Sequence, residues 1–323
     1  MPCFHPLHGY KSKKNGKWIS EQNAPLKHTL EPLTIPCSKC TGCRAEYSRQ
    51  WAMRILHEHQ LKNNSSFITL TYKDEHLPQT GTLIKKDFQD FMKRLREPNV
   101  ELKWTPNKIR FYHCGEYGEN FGRPHYHAIL FDCQFKDKIA LPKKPRQDQL
   151  YTSKTLEEIW GKGYVSIGEV TFESAAYVAA YVQKKINGPL KKEHYEIRYD
   201  WSSIDKQTGE QRKILNKLGK HKEQKQQEYS TMSRKPGIAG LWFAKHKKDV
   251  YPSDNIHING REMRPPKYYD RLYEIDNPEN MQEIKKNRLA EMEKTAYKRT
   301  KPALLQAEKT HKARMSLYKR NKL

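Results

Sequence analysis

Hydrophobic residues recur along this chain with two different periods. The run Phe67-Ile68-Thr69-Leu70-Thr71-Tyr72 alternates β-branched and aromatic residues with small polar ones, which predicts a strand. Ile109–Cys114, His125–Phe131 and Tyr164–Val170 predict further strands. The first two of these, joined across a glycine-rich turn, predict a hairpin. A helical period governs residues 43–62, where Trp51, Ile55 and Leu56 fall at helical spacing and Gly and Pro are absent. It returns in Lys85–Arg96, which places Phe88, Phe91, Met92 and Leu95 on one face and basic residues opposite, with Pro98 as a limit. It returns again in Glu173–Asn187, which Gly188-Pro189 closes. Strands and helices mixed by hairpin-like connections predict an α+β fold, an antiparallel sheet with helices on one face.

Elsewhere the pattern is weaker. Residues 1–42 predict loops and short strands. Residues 202–227 are polar and rich in Lys and Gln, which predicts a mobile loop. Residues 230–275 regain aromatics (Trp242, Phe243, Tyr251, Tyr268, Tyr269 and Tyr273) and are expected to pack onto the main domain. From Pro278 to Leu323 the chain is charged and helix-favouring with few apolar anchors, which predicts a solvated or partly disordered basic helix. The expected organisation is therefore an N-terminal module with its helix (1–62), a central domain (63–190), an accessory region (191–275) and a basic tail (276–323).

Charge adds a partner to this outline. The 323 residues include 61 Lys and Arg against 37 Asp and Glu, a formal net charge of +24. Mean hydropathy is −1.01. Such an excess calls for a polyanionic partner. There is no run of about 18 apolar residues, so a membrane span is not expected. The opening residues, MPCFHPLHGYKSKKNGKW, lack the apolar stretch of a secretory signal, so the chain is expected in a cytoplasm.

Three of the 6 cysteines stand together as Cys37, Cys40 and Cys43. Spacing this tight suits convergence on one soft or borderline cation better than disulfides, and four thiolates make a closed tetrahedral zinc site. Cys3 is the candidate fourth ligand, with His5 and His8 as substitutes. This region reads as architecture, with catalysis elsewhere. An iron–sulfur cluster uses similar spacing, but nothing nearby suggests redox chemistry.

The segment Gly122-Arg123-Pro124-His125-Tyr126-His127 carries the candidate chemistry. Side chains two apart on a strand share a face, so His125 and His127 point together and Tyr126 points away. Two imidazoles and one carboxylate bind a divalent cation and leave positions open for substrate oxygen. Glu116, at the end of the preceding strand, is the third ligand the hairpin would bring opposite, with Glu119 as the fallback. A second constellation lies on the helix beyond. Tyr177 and Tyr181, four residues apart, share one face, and Lys184 follows on the same side. Two hydroxyl nucleophiles and a cation downstream of a metal pair, in a very basic chain, fit phosphoryl transfer through a covalent phosphotyrosine.

These motifs resemble the replication-associated proteins of gokushovirus-type microviruses, which are small single-stranded DNA phages, within the HUH endonuclease superfamily. Phe67–Tyr72 resembles the first rolling-circle motif, Gly122–His127 the metal motif, and Tyr177–Lys185 the two-tyrosine motif. The cysteines, Ser233–Ile238 and Pro265–Tyr269 are also similar to that family, so the resemblance runs from the start to about residue 275. Tyr126 stands where the superfamily prefers a bulky apolar residue.

The resemblance implies an RRM-like nicking domain over 63–190. It implies Mg²⁺ or Mn²⁺ held by His125, His127 and Glu116, with structural Zn²⁺ on Cys3, Cys37, Cys40 and Cys43. Attack by Tyr177 or Tyr181, aided by Lys184, would nick single-stranded or supercoiled origin DNA and leave a 5′-phosphotyrosine. The free 3′-OH would then pass to a host polymerase, with a host helicase as a further partner, in the cytoplasm of a bacterial host. Lys85, Lys86, Lys93, Arg94 and Lys185 are candidate contacts to the DNA backbone. Two rival readings share the motifs. One is a non-catalytic zinc-dependent nucleic-acid-binding protein. The other is a metallohydrolase whose nucleophile is water.

Overall fold

The computed structural model describes residues 3–24, 30–62, 64–97, 109–118, 121–143, 148–181, 191, 194–196 and 224–317. The chain falls into two compact units, Met1–Met53 with Phe243–Leu323, and Arg54–Trp242. This grouping differs from the four successive segments expected from sequence, because the two ends of the chain share a unit.

The unit Arg54–Trp242 is built on a seven-stranded sheet in the order β10-β5-β6-β4-β9-β8-β7. Its strands are β4 (Ser65–Thr71), β5 (Arg110–Tyr117), β6 (Pro124–Phe131), β7 (Ile139–Ala140), β8 (Tyr151–Thr152), β9 (Val165–Gly168) and β10 (Tyr229–Met232). Every pairing in it is antiparallel. Alternation in β4 buries Ser66, Ile68 and Leu70 and leaves Phe67, Thr69 and Thr71 partly open. Strand β5 runs to Tyr117, beyond the expected end at Cys114, so Glu116 is inside the ladder and pairs with His125. The polar stretch after residue 223 returns as β10 and extends the sheet beyond β5.

The sheet carries helices on both faces, which corrects the expectation of one. Helix α2 (Lys85–Leu95) buries Phe88, Phe91, Met92 and Leu95. Phe88 stacks on His113 with ring centres 3.4 Å apart. Helix α3 (Lys154–Trp160) brings Trp160 against Tyr126 at 5.8 Å. His113 and Tyr126 face the same side as Ile68, Leu70, Ala128 and Leu130, the main apolar core. Helix α4 (Phe172–Tyr181) lies on the other side, where Tyr177 meets Phe67 and His127 edge-on at 6.3 and 5.4 Å. The reason is legible in β6, which is buried along almost its whole length. Ile129 and Phe131, like Tyr112 beside them, face away from α2 and need cover of their own. Buried Ala175, Val178 and Ala179 line α4.

Buried Tyr126 explains the polar residue in the middle of the metal motif. Its hydroxyl accepts from the Ile84 N–H at 3.0 Å, donates to the Ile84 carbonyl at 2.9 Å, and lies 2.8 Å from the Tyr72 hydroxyl. A buried phenol with its hydrogen bonds made keeps the apolar contact area of a large ring without an unsatisfied polar atom.

The other unit contains a three-stranded sheet, β2-β1-β3, of Trp18–Ser20, Gly9–Ser12 and Leu30–Pro32. It also holds the hairpin β11 (Ile256–Ile258) and β12 (Arg261–Met263). Helix α1 (Thr41–Gln60) starts in this unit and helix α5 (Gly240–Val250) ends in it. Three helices follow, α6 (Lys267–Asp276), α7 (Pro278–Lys294) and α8 (Lys301–Leu317). Phe243 stacks on Tyr269 at 4.8 Å and Tyr251 on Tyr273 at 4.3 Å. The Arg288 guanidinium donates to both Asp254 and Asp270. The tail is thus not a freely solvated helix. Met281, Ile284 and Leu304 are buried, and α8 reaches the first residues of the chain through Glu308 with His5 at 2.7 Å and His311 against Phe4. No helix among the described residues is long and apolar enough to cross a membrane.

Candidate active site

Three strands assemble the site. The β5–β6 register sets Glu116 opposite His125 and Cys114 opposite His127, and the β4–β6 register sets Thr69 opposite His127 and Thr71 opposite His125. Alternation puts all of these on the face that α4 covers. The turn between β5 and β6 is drawn tight by Gly118 N–H to Arg123 O at 2.9 Å and Gly122 N–H to Gly118 O at 2.9 Å. Gly122 has φ +60°, the left-handed region that glycine adopts without penalty. Arg123 pins the turn by donating to Asp74 and to the Tyr72 carbonyl.

The two imidazoles converge on one carboxylate oxygen. His125 Nε2 lies 2.7 Å and His127 Nε2 lies 3.0 Å from Glu116 Oε1. Glu116 and His127 are buried, and His125 is half-buried. Each ring is oriented from its other nitrogen. His125 Nδ1 donates to the Arg123 carbonyl at 3.1 Å, and His127 Nδ1 meets the Thr69 hydroxyl at 2.9 Å. A carbonyl accepts only, so a neutral His125 carries its proton on Nδ1 and turns the Nε2 lone pair toward the carboxylate. Lone pairs aimed at one point need a positive species between them, a proton or a metal ion. Burial opposes ionisation of Glu116, but with a proton in the contacts to His125 and His127 their hydrogen bonds outweigh it and hold the carboxyl below the usual carboxylate range. Two imidazoles and an ionised carboxylate, each ring fixed from behind, are a donor set that fits a divalent cation with open positions for substrate.

Tyr177 of α4 stands beside this triad, its ring edge-on to His127 with centres 5.4 Å apart. His113, on the far side of the sheet, is fully buried, which holds its imidazole well below the usual range and so neutral. It is a core ring and no part of the triad.

A separate cluster forms in the other unit. The sulfurs of Cys3, Cys37, Cys40 and Cys43 all lie within 4.8 Å of one another. Cys3 Sγ is 3.9 Å from Cys40 Sγ, and Cys37 Sγ is 4.0 Å from Cys43 Sγ. Four thiolates bound to zinc at about 2.3 Å stand roughly 3.8 Å apart, so the set fits a tetrahedral ion. Main-chain N–H groups aim at the sulfurs: Phe4 at Cys40 (3.3 Å), Cys37 at Cys3 (3.2 Å), Cys40 at Cys37 (3.4 Å) and Cys43 at Cys40 (3.5 Å). Burial opposes ionisation of Cys40, yet the N–H groups of Cys43 and Phe4 bring its thiol down to about 6. Burial and the neighbouring thiols of Cys3 and Cys40 push Cys43 up. The substitute ligands are engaged elsewhere, His5 with Glu308 and His8 with Thr34.

Comparison with known proteins finds similarity to phage replication proteins. The family model for replication-associated protein ORF2/G2P matches residues 65–186, the stretch from β4 through α4. Along 303 residues the chain is 29% identical to replication-associated protein VP4 of Bdellovibrio phage phiMH2K, covering 91% of this chain and 85% of that protein. The chain is similar to these phage replication-associated proteins. Replication-associated protein ORF2 of Spiroplasma virus 4 is 29% identical over 293 residues, with 85% and 81% of the two chains covered. ORF4 of Chlamydia phage 1, also a replication-associated protein, is 37% identical over 155 residues, 47% of this chain and 38% of that one. No solved structure matches the chain significantly.

The matched segment holds the triad and Tyr177 together. Tyr181 closes α4 as described, but its side chain lies outside the described residues, as do Glu119, Lys184 and Lys185. The basic residues of α2 are not brought to the triad, because α2 covers the opposite face. Arg94 donates to the Ile159 and Trp160 carbonyls at 2.7 and 2.9 Å, where it caps the end of α3. Lys86 and Lys93 pair with Asp90, and the Lys85 ammonium lies over the Tyr229 ring. Sequence reasoning overlooked Thr69, although the alternation that placed His127 on one face also places Thr69 on one face of its own strand. What alternation does not supply is which strand lies alongside.

Proposed function

We propose that this chain initiates phage DNA replication by nicking one strand at an origin through an HUH-type tyrosine transesterification. One juxtaposition carries the reading: a triad of buried His127 and Glu116 with half-buried His125, and Tyr177 edge-on to His127. Bound there, Mg²⁺ or Mn²⁺ would draw on non-bridging phosphate oxygens, make phosphorus more electrophilic and offset charge in the transition state. The protein's own part is positional and nucleophilic. His125, His127 and Glu116 fix the ion's place, and Thr69 and the Arg123 carbonyl fix the rings. The Tyr177 oxygen attacks phosphorus and loses its proton. The bond from phosphorus to the 3′ oxygen breaks, and that oxygen takes up a proton to leave as a 3′-OH.

A free phenol ionises near ~10, so the attack depends on this local activation. The product is a 5′-phosphotyrosine. One phosphoester replaces another, so the link retains the energy for rejoining without ATP. Tyr181, one helical turn further, is the second nucleophile; whichever tyrosine is left free would cut the regenerated origin after a round of synthesis by host polymerase and helicase, so that the two alternate, with Lys184 stabilising phenolate or phosphate. The four cysteines would hold a structural zinc ion.

The test is a labelled single-stranded origin DNA incubated with the protein and Mn²⁺, then denatured. A protein–DNA adduct is expected to survive, to fall with Tyr177→Phe or Tyr181→Phe, and to vanish in the double variant. Cleavage without an adduct would instead mark a water-using metallohydrolase. DNA binding with neither would mark the non-catalytic zinc-dependent binder.

A further inference from the structure

Beyond the triad, the same cross-strand row continues to a residue with no assigned role. Glu116 pairs with His125, and His125 pairs with Thr71. Leu70 pairs with Val165 on the next strand, so Tyr164 falls opposite Thr71. By alternation it belongs to the face that carries the triad. Neighbouring strands lie about 4.8 Å apart, so the Tyr164 backbone stands roughly 10 Å from that of His125.

The segment bearing Tyr164 is strapped to the end of β4. The Tyr164 carbonyl accepts from both the Thr71 N–H at 2.9 Å and the Thr71 hydroxyl at 3.0 Å, and Lys73 N–H donates to the Lys162 carbonyl at 3.0 Å. Gly163 is packed so closely that a Cβ there would come within 2.3 Å of the Thr71 carbonyl oxygen. On this fixed backbone Tyr164 is 61% exposed, and the Lys73 ammonium lies over its ring, 5.6 Å from the centre. Scattered exposed aromatics are ordinary on protein surfaces. An exposed ring on a fixed backbone, with an ammonium over one face and the other face open, two strands from the proposed phosphate-activating centre, has the parts of a stacking platform for an unpaired base with a cation for the adjoining phosphate.

We infer that Tyr164, with Lys73, binds one unpaired base flanking the scissile phosphate and so positions the strand over the triad. This rests on the nicking reading for the word scissile, but its test is a binding measurement that needs no cleavage. The full-length protein is titrated, without added Mg²⁺ or Mn²⁺, into fluorescent single-stranded oligonucleotides and their duplexes, and anisotropy is read. Stacking on one aromatic ring corresponds to a loss of about tenfold or more on truncation. Tyr164→Ala is therefore expected to weaken single-strand binding by that factor and leave duplex binding unchanged, while Tyr164→Phe binds like the wild type. An abasic site moved along the oligonucleotide should weaken wild-type binding at one position and leave Tyr164→Ala indifferent there.

Equal single-strand affinity for Tyr164→Ala and wild type would overturn the inference. So would an abasic penalty that persists in the variant. Should Tyr164→Ala lower the melting temperature, Tyr164→Leu, apolar but without a π-face, replaces it under the same criteria. A wild-type protein that forms no adduct would defeat the nicking reading and leave the stacking result to stand by itself.

Discussion

The two ligand clusters of this chain are built on opposite plans. The four cysteines come from one short stretch, residues 37–43, and one distant residue, Cys3, and their sulfurs are oriented by main-chain N–H groups. Four soft ligands close the coordination shell and leave no position for substrate. The triad draws two imidazoles from β6 and a carboxylate from β5, and its rings are oriented by a third strand's hydroxyl and a turn carbonyl. Three mixed ligands leave open positions, and a tyrosine stands beside them. Closure and main-chain support suit an ion that holds structure together. An open shell on a rigid sheet suits an ion that handles a substrate. The contrast predicts different responses to damage.

The largest expected effect is on the closed cluster. The segment around Cys3 has little apolar material of its own, with Phe4 its one buried hydrophobic residue before Cys40 among the described residues. An ion bound by four thiolates contributes apparent binding energy on the order of 10–16 kcal/mol, which becomes folding energy. Cys40→Ser is expected to lose about one zinc per chain and to expose the N-terminal segment to limited proteolysis. Metal analysis and a protease time course read both effects. A variant that keeps its zinc and its protease resistance would abolish the structural half of the contrast.

Damage to the triad should do the reverse. His127→Gln keeps the size and polarity of a buried side chain while withdrawing an imidazole ligand. Adduct formation with Mn²⁺ should fall by on the order of 10²–10³ or more, the usual effect of removing one preorganised group that stabilises transition-state charge. Zinc content and melting temperature should stay near wild type. If the melting temperature collapses together with zinc content, the two clusters are not separable and the comparison fails.

The plans also explain what could be read from sequence. Cys37, Cys40 and Cys43 were conspicuous because their geometry is local. The strands around Ile68 and Ala128 and the amphipathic α2 were legible for the same reason, since period and burial coincide within a few residues. The triad was half-legible: His125 and His127 announce themselves by spacing, whereas Glu116 depends on the β5–β6 register. Thr69 was invisible because its function depends on β4 lying next to β6, a long-range pairing that local patterning does not encode. Helices on one face were expected because α2 has a strong apolar stripe. Helix α4 has small residues, Ala175 and Ala179, whose close approach to the other face leaves a weaker pattern. The basic residues of α2 are legible only as charge, and charge alone does not tell a phosphate contact from Arg94 capping a neighbouring helix.

The smallest effect sharpens the contrast most. Main-chain N–H groups orient the cysteine sulfurs, and no side-chain substitution removes them. The triad's support includes one side chain, Thr69, whose hydroxyl lies 2.9 Å from His127 Nδ1. Thr69→Val keeps the β-branched shape that suits a strand and deletes the hydroxyl. His127 then loses the group that holds its ring angle, while all three ligands remain. Loss of such a partner costs roughly 10–100-fold in metal affinity. The Mn²⁺ concentration for half-maximal adduct formation should therefore rise by about tenfold, near the lower end of that range, because Arg123 still orients His125. At saturating Mn²⁺ the adduct yield should return, and Thr69→Ser should behave like wild type. A merely structural role for Thr69 would lower the yield at every Mn²⁺ concentration alike. An unshifted Mn²⁺ midpoint would place the control of His127 elsewhere than in β4.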